Sequence, residues 1–450
     1  KLVPKLQTLR VPIMALSIND FPTDNHGWGE LLPARNKPSH LQDNLRVSWT
    51  IVGAGFTGLA CARRLAELHP NDGIILIDAR LVGQGASGRN SGFVVAVSHF
   101  PGPYIAQQQE NYARVNRINQ AGVEVLSHQI KMLSIDCQWD DRGFHHAAAD
   151  TKSINECKNF LEYLNAMEVA HTPLNGEDMR NRLGSSLYRA GVHVHSGALV
   201  QPAALVRGLA AKLPNNVRLI EQCPVLKVED GSPIKLSLSQ GEIKTDKLVL
   251  ATNYEACKLG FLSRRLISST LSGSFTRRLD AQELSTLGDF KEWGVLSLHS
   301  GGATIRLTSE GRISLRNTAE YNGGTLLSKQ RLERRQAIHR ASFEKRFPQL
   351  AHVPFEYAWS GVEGISRNST NFFGQQKDKI YLAGGYNGSG VSKGSAFGHS
   401  LAEYASGGQS SLITDCLASA PATWIPPRPF LDIGAIFTVR SRFRGVGLDR

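Results

Sequence analysis

Three glycines in Gly53-Ala54-Gly55-Phe56-Thr57-Gly58 have the spacing of a turn that brings backbone against a pyrophosphate, and Asp78 follows Gly58 by twenty residues. Gly53 permits the tight turn, Gly55 lets the backbone approach the phosphates, and Gly58 lets the following helix pack close to its strand. The helix N-terminus then presents unpaired N–H groups to the anion. Asp78 at the end of the next strand would accept hydrogen bonds from ribose hydroxyls, and an acid there disfavours a 2′-phosphate. The fingerprint therefore leaves FAD and NAD open and argues against NADP.

The next segment separates these two. Gly83-Gln84-Gly85-Ala86-Ser87-Gly88-Arg89-Asn90-Ser91-Gly92 begins a few residues after Asp78, where an NAD domain would start a crossover helix. Its small residues let backbone lie along an extended cofactor, with Ser87, Arg89 and Asn90 able to meet phosphate or flavin polar atoms. A second glycine-rich turn, Gly384-Gly385-Tyr386-Asn387-Gly388-Ser389-Gly390-Val391, precedes a further helix. Its N–H groups suit negative charge developing on a reduced flavin ring.

For the C–N oxidation that the resemblance described below implies, hydride transfer from the α-carbon of a neutral amine to flavin N5 asks for position and a deprotonated nitrogen more than for an acid–base pair. An apolar pocket wall would supply that nitrogen by desolvation. The lack of a triad or paired carboxylates is consistent with such chemistry. A carboxylate on the substrate would need a cation, and Arg306 is the first candidate, since a guanidinium binds carboxylates through two parallel bonds. Arg277 and Lys393 are weaker ones, and Tyr386 is the other residue expected to touch the reacting atoms. His193 and His195 share a strand face without further ligands, so no metal is expected.

The elements that must hold these residues follow from the periodicity. A buried strand at 47–52, an apolar helix at 56–68 and a strand at 74–78 frame the fingerprint. Residues 110–181 read as largely helical, 216–251 as four short strands, and 266–316 as an antiparallel sheet. A helix at 326–347, a strand at 379–383 and a helix at 395–404 complete the pattern. The expected fold is α/β: a Rossmann-like FAD-binding domain (46–98, 196–262 and 362–408) interleaved with an α+β substrate domain built on an antiparallel sheet (99–195 and 263–361). Residues 1–45 form an irregular arm over the body, and 409–450 a C-terminal extension.

Composition sets bounds on function. With 450 residues, 41% hydrophobic and 20% charged, the chain can bury more than one core. No apolar run approaches the roughly 18 residues of a membrane span, and the basic, proline-containing start lacks a signal-peptide core, so a cytoplasmic location is expected. The six cysteines show neither metal-ligand spacing nor a disulfide framework. A net charge of +12 is dispersed apart from a cluster at 331–340. Without interleaved aromatics it gives no nucleic-acid footprint.

The segments 51–67, 77–92, 197–210, 247–253, 306–315, 359–368 and 384–403 together resemble the D-amino-acid-oxidase-like superfamily of FAD-dependent oxidoreductases over about residues 28–408. The run Gly85-Ala86-Ser87-Gly88-Arg89-Asn90-Ser91-Gly92 is the most specific. The arm ahead of the first strand is similar to that of the gamma-glutamylputrescine-oxidase-like branch. The resemblance implies an enzyme that oxidises a C–N bond of an amine or amino acid to an imine that hydrolyses, with oxygen or a quinone or carrier as acceptor. A noncatalytic FAD-binding protein is the reading from another class. It also implies cofactor contacts from Ala79, Arg80, Ser91 and Gly92, and from Val225, Ala251, Thr252 and Gly361. With no cysteine at 384–398, where covalent-flavin relatives attach the cofactor, FAD is expected to be noncovalent. Gly388-Ser389-Gly390 stands where many relatives have Gly-His-Gly, and Arg316-Asn317 where many have Gly-Gly, so the substrate is left open.

Overall fold

The computed structural model describes residues 25–35, 44–288, 292–299, 301–444 and 446–449. Most of the expected arm, 1–24 and 36–43, lies outside the described residues.

Two eight-stranded sheets organise the chain. In the first, Leu45–Val52 lies between Glu242–Leu250 and Ile74–Ile77 with parallel pairing on both sides. Val217–Ile220 and Ile380–Gly384 extend it in parallel at either side, and Phe372–Lys377 closes one edge antiparallel. Parallel strands covered on both faces must be apolar along their length, and Ile74–Ile77 is buried at every position. The helices Phe56–Leu68 and Ser392–Ala405 pack against each other over this sheet. Small residues make that approach possible: a Cβ on Gly58 would collide with the Gly53 carbonyl oxygen, and one on Gly398 with that of Thr57.

The second sheet runs Phe355–Ile365, Ile267–Thr276, Ile313–Glu320, Thr304–Leu307, Trp293–Ser297, Phe144–Ala148, Ala190–Val194, His171–Asn175, mostly antiparallel. Leu174, Met179, Tyr188, Ile305, Leu315, Phe343 and Phe347 form its core under the helix Lys329–Arg346. The largely helical reading of 110–181 needs correction, because helices Gln109–Leu133 and Thr151–Ala166 flank the strand Phe144–Ala148, and His171–Asn175 follows. Phe144–Ala148 gains its partners from 190–194 and 293–297, too far along the chain for a local pattern to register.

The described part of the arm is ordered by two anchors. Trp28, on the one-turn helix Gly27–Glu30, is fully buried against Ala203, Phe275 and Trp359. Arg35 pairs with Glu221 at 2.7 Å and donates to the Val82 carbonyl at 3.2 Å. No helix among the described residues is long and apolar enough to cross a membrane.

Candidate active site

The fingerprint turn sits where the first sheet meets three glycine-rich segments. Gly53 has φ of +103°, and a Cβ there would stand 2.8 Å from the Ala251 carbonyl oxygen, so Ala251 and Thr252 flank the turn. Thr252 Oγ1 is buried with no hydrogen-bond partner. A Cβ on Gly55 would stand 2.6 Å from Ser87 Oγ, which accepts the Phe56 N–H at 3.1 Å. The expected Gly53, Gly55, Phe56, Thr57, Gly58, Ser87, Ala251 and Thr252 thus form one cluster.

Asp78 lies beside them, accepting the Ala54 N–H at 2.7 Å and the Arg80 N–H at 2.8 Å. Burial pushes its carboxyl up to about 6, against those two bonds. Arg80 turns to Glu255 at 3.0 Å, and Ala79 lies between them in chain order. Backbone bonds from Cys223 to Asp78 and from Gln222 to Arg80 bring the start of the strand Val225–Glu229 to this corner.

Residues 83–92 hold themselves together. Asn90 Nδ2 donates to the Ser87 carbonyl at 2.8 Å while its Oδ1 accepts the Gly92 N–H at 2.9 Å. Arg89 reaches the Gln84 and Ser360 carbonyls, and a Cβ on Gly361 would stand 3.3 Å from Arg89 Cβ. Ser91 is partly exposed, and a Cβ on Gly85 would meet nothing within 4 Å. The C-terminal turn joins the cluster through Tyr386, whose hydroxyl is 2.6 Å from Thr57 Oγ1, and through Gly394, whose Cβ would stand 3.0 Å from the same oxygen. Gly388 has φ of +96° with open space at its Cβ, and Ser389 and Gly390 carbonyls accept the first N–H groups of the helix Ser392–Ala405.

One regularity marks this cluster. The helices Phe56–Leu68, Ala86–Arg89 and Ser392–Ala405 start at Gly55, Gly85 and Val391 with no side-chain cap. Elsewhere Asp150, Asn175 and Asp280 form capping boxes, and His26, Gln201, Ser328 and Ser410 cap by a side chain. The remaining uncapped α-helix with a described cap, Gln109–Leu133, continues from a 3-10 turn, and the 3-10 turns Ala106–Gln108, Asn253–Leu259 and Pro348–Leu350 also start without a side-chain cap. Three helix starts without a side-chain cap, beside glycines whose Cβ would clash at Gly53 and Gly55 and meet open space at Gly85 and Gly388, match the needs of an extended, doubly phosphorylated cofactor. The orphaned Thr252 hydroxyl fits the same group.

Two expected catalytic residues are placed differently. Arg306 is fully buried and pairs with Glu292 at 2.6 Å, while Nη1 donates to the Val200 and Gly92 carbonyls. Its guanidinium also lies 5.3 Å from the Trp28 ring. A guanidinium so engaged braces Gly92 through Nη1 and holds Glu292 through Nη2, and its remaining donor, Nε, is buried without a hydrogen-bond partner. Tyr386 is likewise buried, burial holding its phenol well above the usual range, and it fastens the C-terminal turn to the fingerprint helix. Arg277 is taken by Glu283 at 2.6 Å. Lys393 differs from both arginines: it is 6% exposed, its ammonium has no hydrogen bond or ion pair among the described residues, and burial lowers that ammonium to about 8.

Sequence reasoning missed Asn253, whose φ of +47° turns its Oδ1 onto the Gly385 N–H at 2.8 Å, and Asn387, which bonds Ser366, Thr370 and Gly385. An asparagine after an apolar strand and one inside a glycine turn were the available signals. The His193 ring stacks on His145 and the His195 ring packs on His193, and no cluster of metal-ligating side chains occurs among the described residues.

A dinucleotide-binding α/β fold with a second antiparallel sheet is the class these features define. Residues 48–404 match the DAO family of FAD-dependent oxidoreductases, and the chain belongs to that family. It is 25% identical to the gamma-glutamylputrescine oxidoreductase of Escherichia coli over 89% of this chain and 94% of that protein. It is 26% identical to the oxidoreductase OrdL of Haemophilus influenzae over 78% and 81%. Among solved structures, glycine oxidase of Geobacillus kaustophilus superposes with a TM-score of 0.70 at 17% identity, covering 82% of this chain and 96% of that one.

Proposed function

We propose that the protein binds FAD noncovalently and oxidises the C–N bond of an amine bearing a carboxylate, releasing an imine that water hydrolyses. The observation that carries this reading is the convergence of three uncapped helix N-termini on the glycine cradle. The cofactor part is proposed as 46–98, 196–262 and 362–408, and the substrate part as 99–195 and 263–361. Names of relatives agree with the chemistry, one being a gamma-glutamylputrescine oxidoreductase and another a glycine oxidase.

When bound, FAD supplies a two-electron acceptor for the hydride that leaves carbon as the nitrogen lone pair forms C=N. The Phe56 and Ala86 helix starts would face the pyrophosphate, and Asp78 would accept from the adenosine ribose. Gly361 and the Gly388–Gly390 backbone would lie along the ring system, whose negative charge the Ser392 helix start favours. Arg306 and Tyr386 act as positioning residues, bracing Gly92 and tying the C-terminal turn to Thr57. Lys393, a buried ammonium without a counterion on the first turn of that helix, is the cation proposed for the substrate carboxylate.

The test is anaerobic mixing of the purified flavoprotein with paired amines that differ only in a carboxylate. Bleaching near 450 nm, faster or at lower concentration for the carboxylated member, is expected, and Lys393→Met should raise its KM with little change for the other. Recovery of colour in air with peroxide release identifies oxygen as the acceptor, and recovery only with a quinone identifies a dehydrogenase. No bleaching with any amine would refute the enzyme reading.

A further inference from the structure

The C-terminal extension lies beyond the matched family region, which ends at residue 404, and it holds an unusual concentration of exposed apolar side chains. Of nine large exposed hydrophobics among the described residues, six are Leu417, Trp424, Phe430, Ile433, Ile436 and Phe437. Phe430, Ile433 and Phe437 are 67%, 65% and 69% exposed. All three lie on the helix Phe430–Arg444, and at 100° per residue they share with Arg440 an arc of roughly 80°.

The opposite side of this helix is already occupied. It packs on the strand Ile313–Glu320, Ala435 is buried, and Asp432 accepts from Tyr321 at 2.7 Å and pairs with Arg428 at 3.2 Å. A helix apolar on both sides needs cover on both sides. Its charge selects the cover. Residues 428–444 carry Arg428, Arg440, Arg442 and Arg444 against Asp432 alone. The helix Lys329–Arg346 carries exposed Lys329, Arg334 and Lys345 against exposed Glu333 and Glu344. Its Arg331 and Arg335 hold Glu320, next in the chain to Tyr321, so both helices reach the end of the strand Ile313–Glu320. A second copy would set this arginine-rich face against its own charge.

We propose that the helix Phe430–Arg444 seats the protein on an anionic lipid bilayer, with Phe430, Ile433 and Phe437 in the headgroup boundary and Arg440 at lipid phosphates. Exposed aromatic and aliphatic side chains beside basic residues, on a helix too short to span, suit the boundary of an anionic bilayer. Ile433, Ile436, Phe437, Arg440 and Ser441 line a shallow, open groove along this helix. This proposal is independent of the substrate.

The test is flotation of the purified full chain with phosphatidylcholine vesicles, with and without phosphatidylglycerol. Wild type should float with the anionic vesicles and detach as salt rises. Phe430→Ser with Phe437→Ser should weaken binding about tenfold or more, with flavin absorbance and Tm unchanged. Arg440→Glu should erase the preference for anionic lipid. Wild type that floats with neither vesicle, or a serine variant that floats equally, would overturn the proposal. So would a wild-type dimer that the serine variant converts to monomer, since a second copy would then be the cover.

Discussion

The two sheets of this molecule differ in how the helices around them begin. Around the second sheet, Asp150, Asn175 and Asp280 close capping boxes, and two buried arginines have carboxylate partners, Arg306 in Glu292 and Arg346 in Asp449. Around the first, three helices begin without a side-chain cap beside glycines whose Cβ would strike backbone or leave open space. Helix starts without a side-chain cap in one region and closed capping boxes in the other are the contrast on which the proposed anion site rests.

The largest effect on this contrast should come from Gly58. Its Cβ would collide with the Gly53 carbonyl oxygen, so Gly58→Ala must displace the turn from the helix and empty the cradle. Flavin content of the purified variant should fall to background, and normal content would show that the close approach is unnecessary.

Next is Arg306→Ala, which leaves Glu292 buried without its cation. The cost should be about 3–5 kcal/mol in urea unfolding, whereas Arg306→Met with Glu292→Met should recover much of it. Wild-type stability with a raised KM would instead return Arg306 to the substrate.

The third effect is a pH dependence at Asp78. Its folded carboxyl titrates at about 6, above an unfolded value of about 3.9. The apoprotein therefore holds this proton between those values while the unfolded chain has lost it. The stability the group contributes is present below pH of about 4 and is lost as pH rises through about 6. Ribose hydroxyls donate best to the ionised acid, so FAD should bind the apoprotein several-fold more tightly above that window. A flat profile, or the same rise in Asp78→Asn, would contradict the assignment.

The smallest is Tyr386→Phe, which removes one buried bond to Thr57 and should cost about 1 kcal/mol while leaving kcat nearly unchanged. A collapse of kcat would make Tyr386 a catalytic residue after all.

What the sequence made legible divides along the same line. The cradle residues were readable because their constraints are local: glycines at fixed offsets, a strand before, a helix after, an acid twenty residues on. Arg306 was placed on the correct kind of element, a strand, yet its burial and its partner Glu292 come from tertiary packing that no residue spacing encodes. Trp28 sat in an apparently irregular arm because one turn of helix leaves no periodic trace. The helix Phe430–Arg444 escaped notice because it is apolar on both sides and so lacks the one-sided stripe that marks an ordinary surface helix.

The most direct measurement of the central claim is identification of the cofactor released by acid from purified wild-type protein. One FAD per chain in the supernatant, and none from Gly58→Ala, is the predicted result. NAD in the supernatant, flavin retained on the precipitated chain, or an apoprotein that cannot be reconstituted with FAD would contradict it.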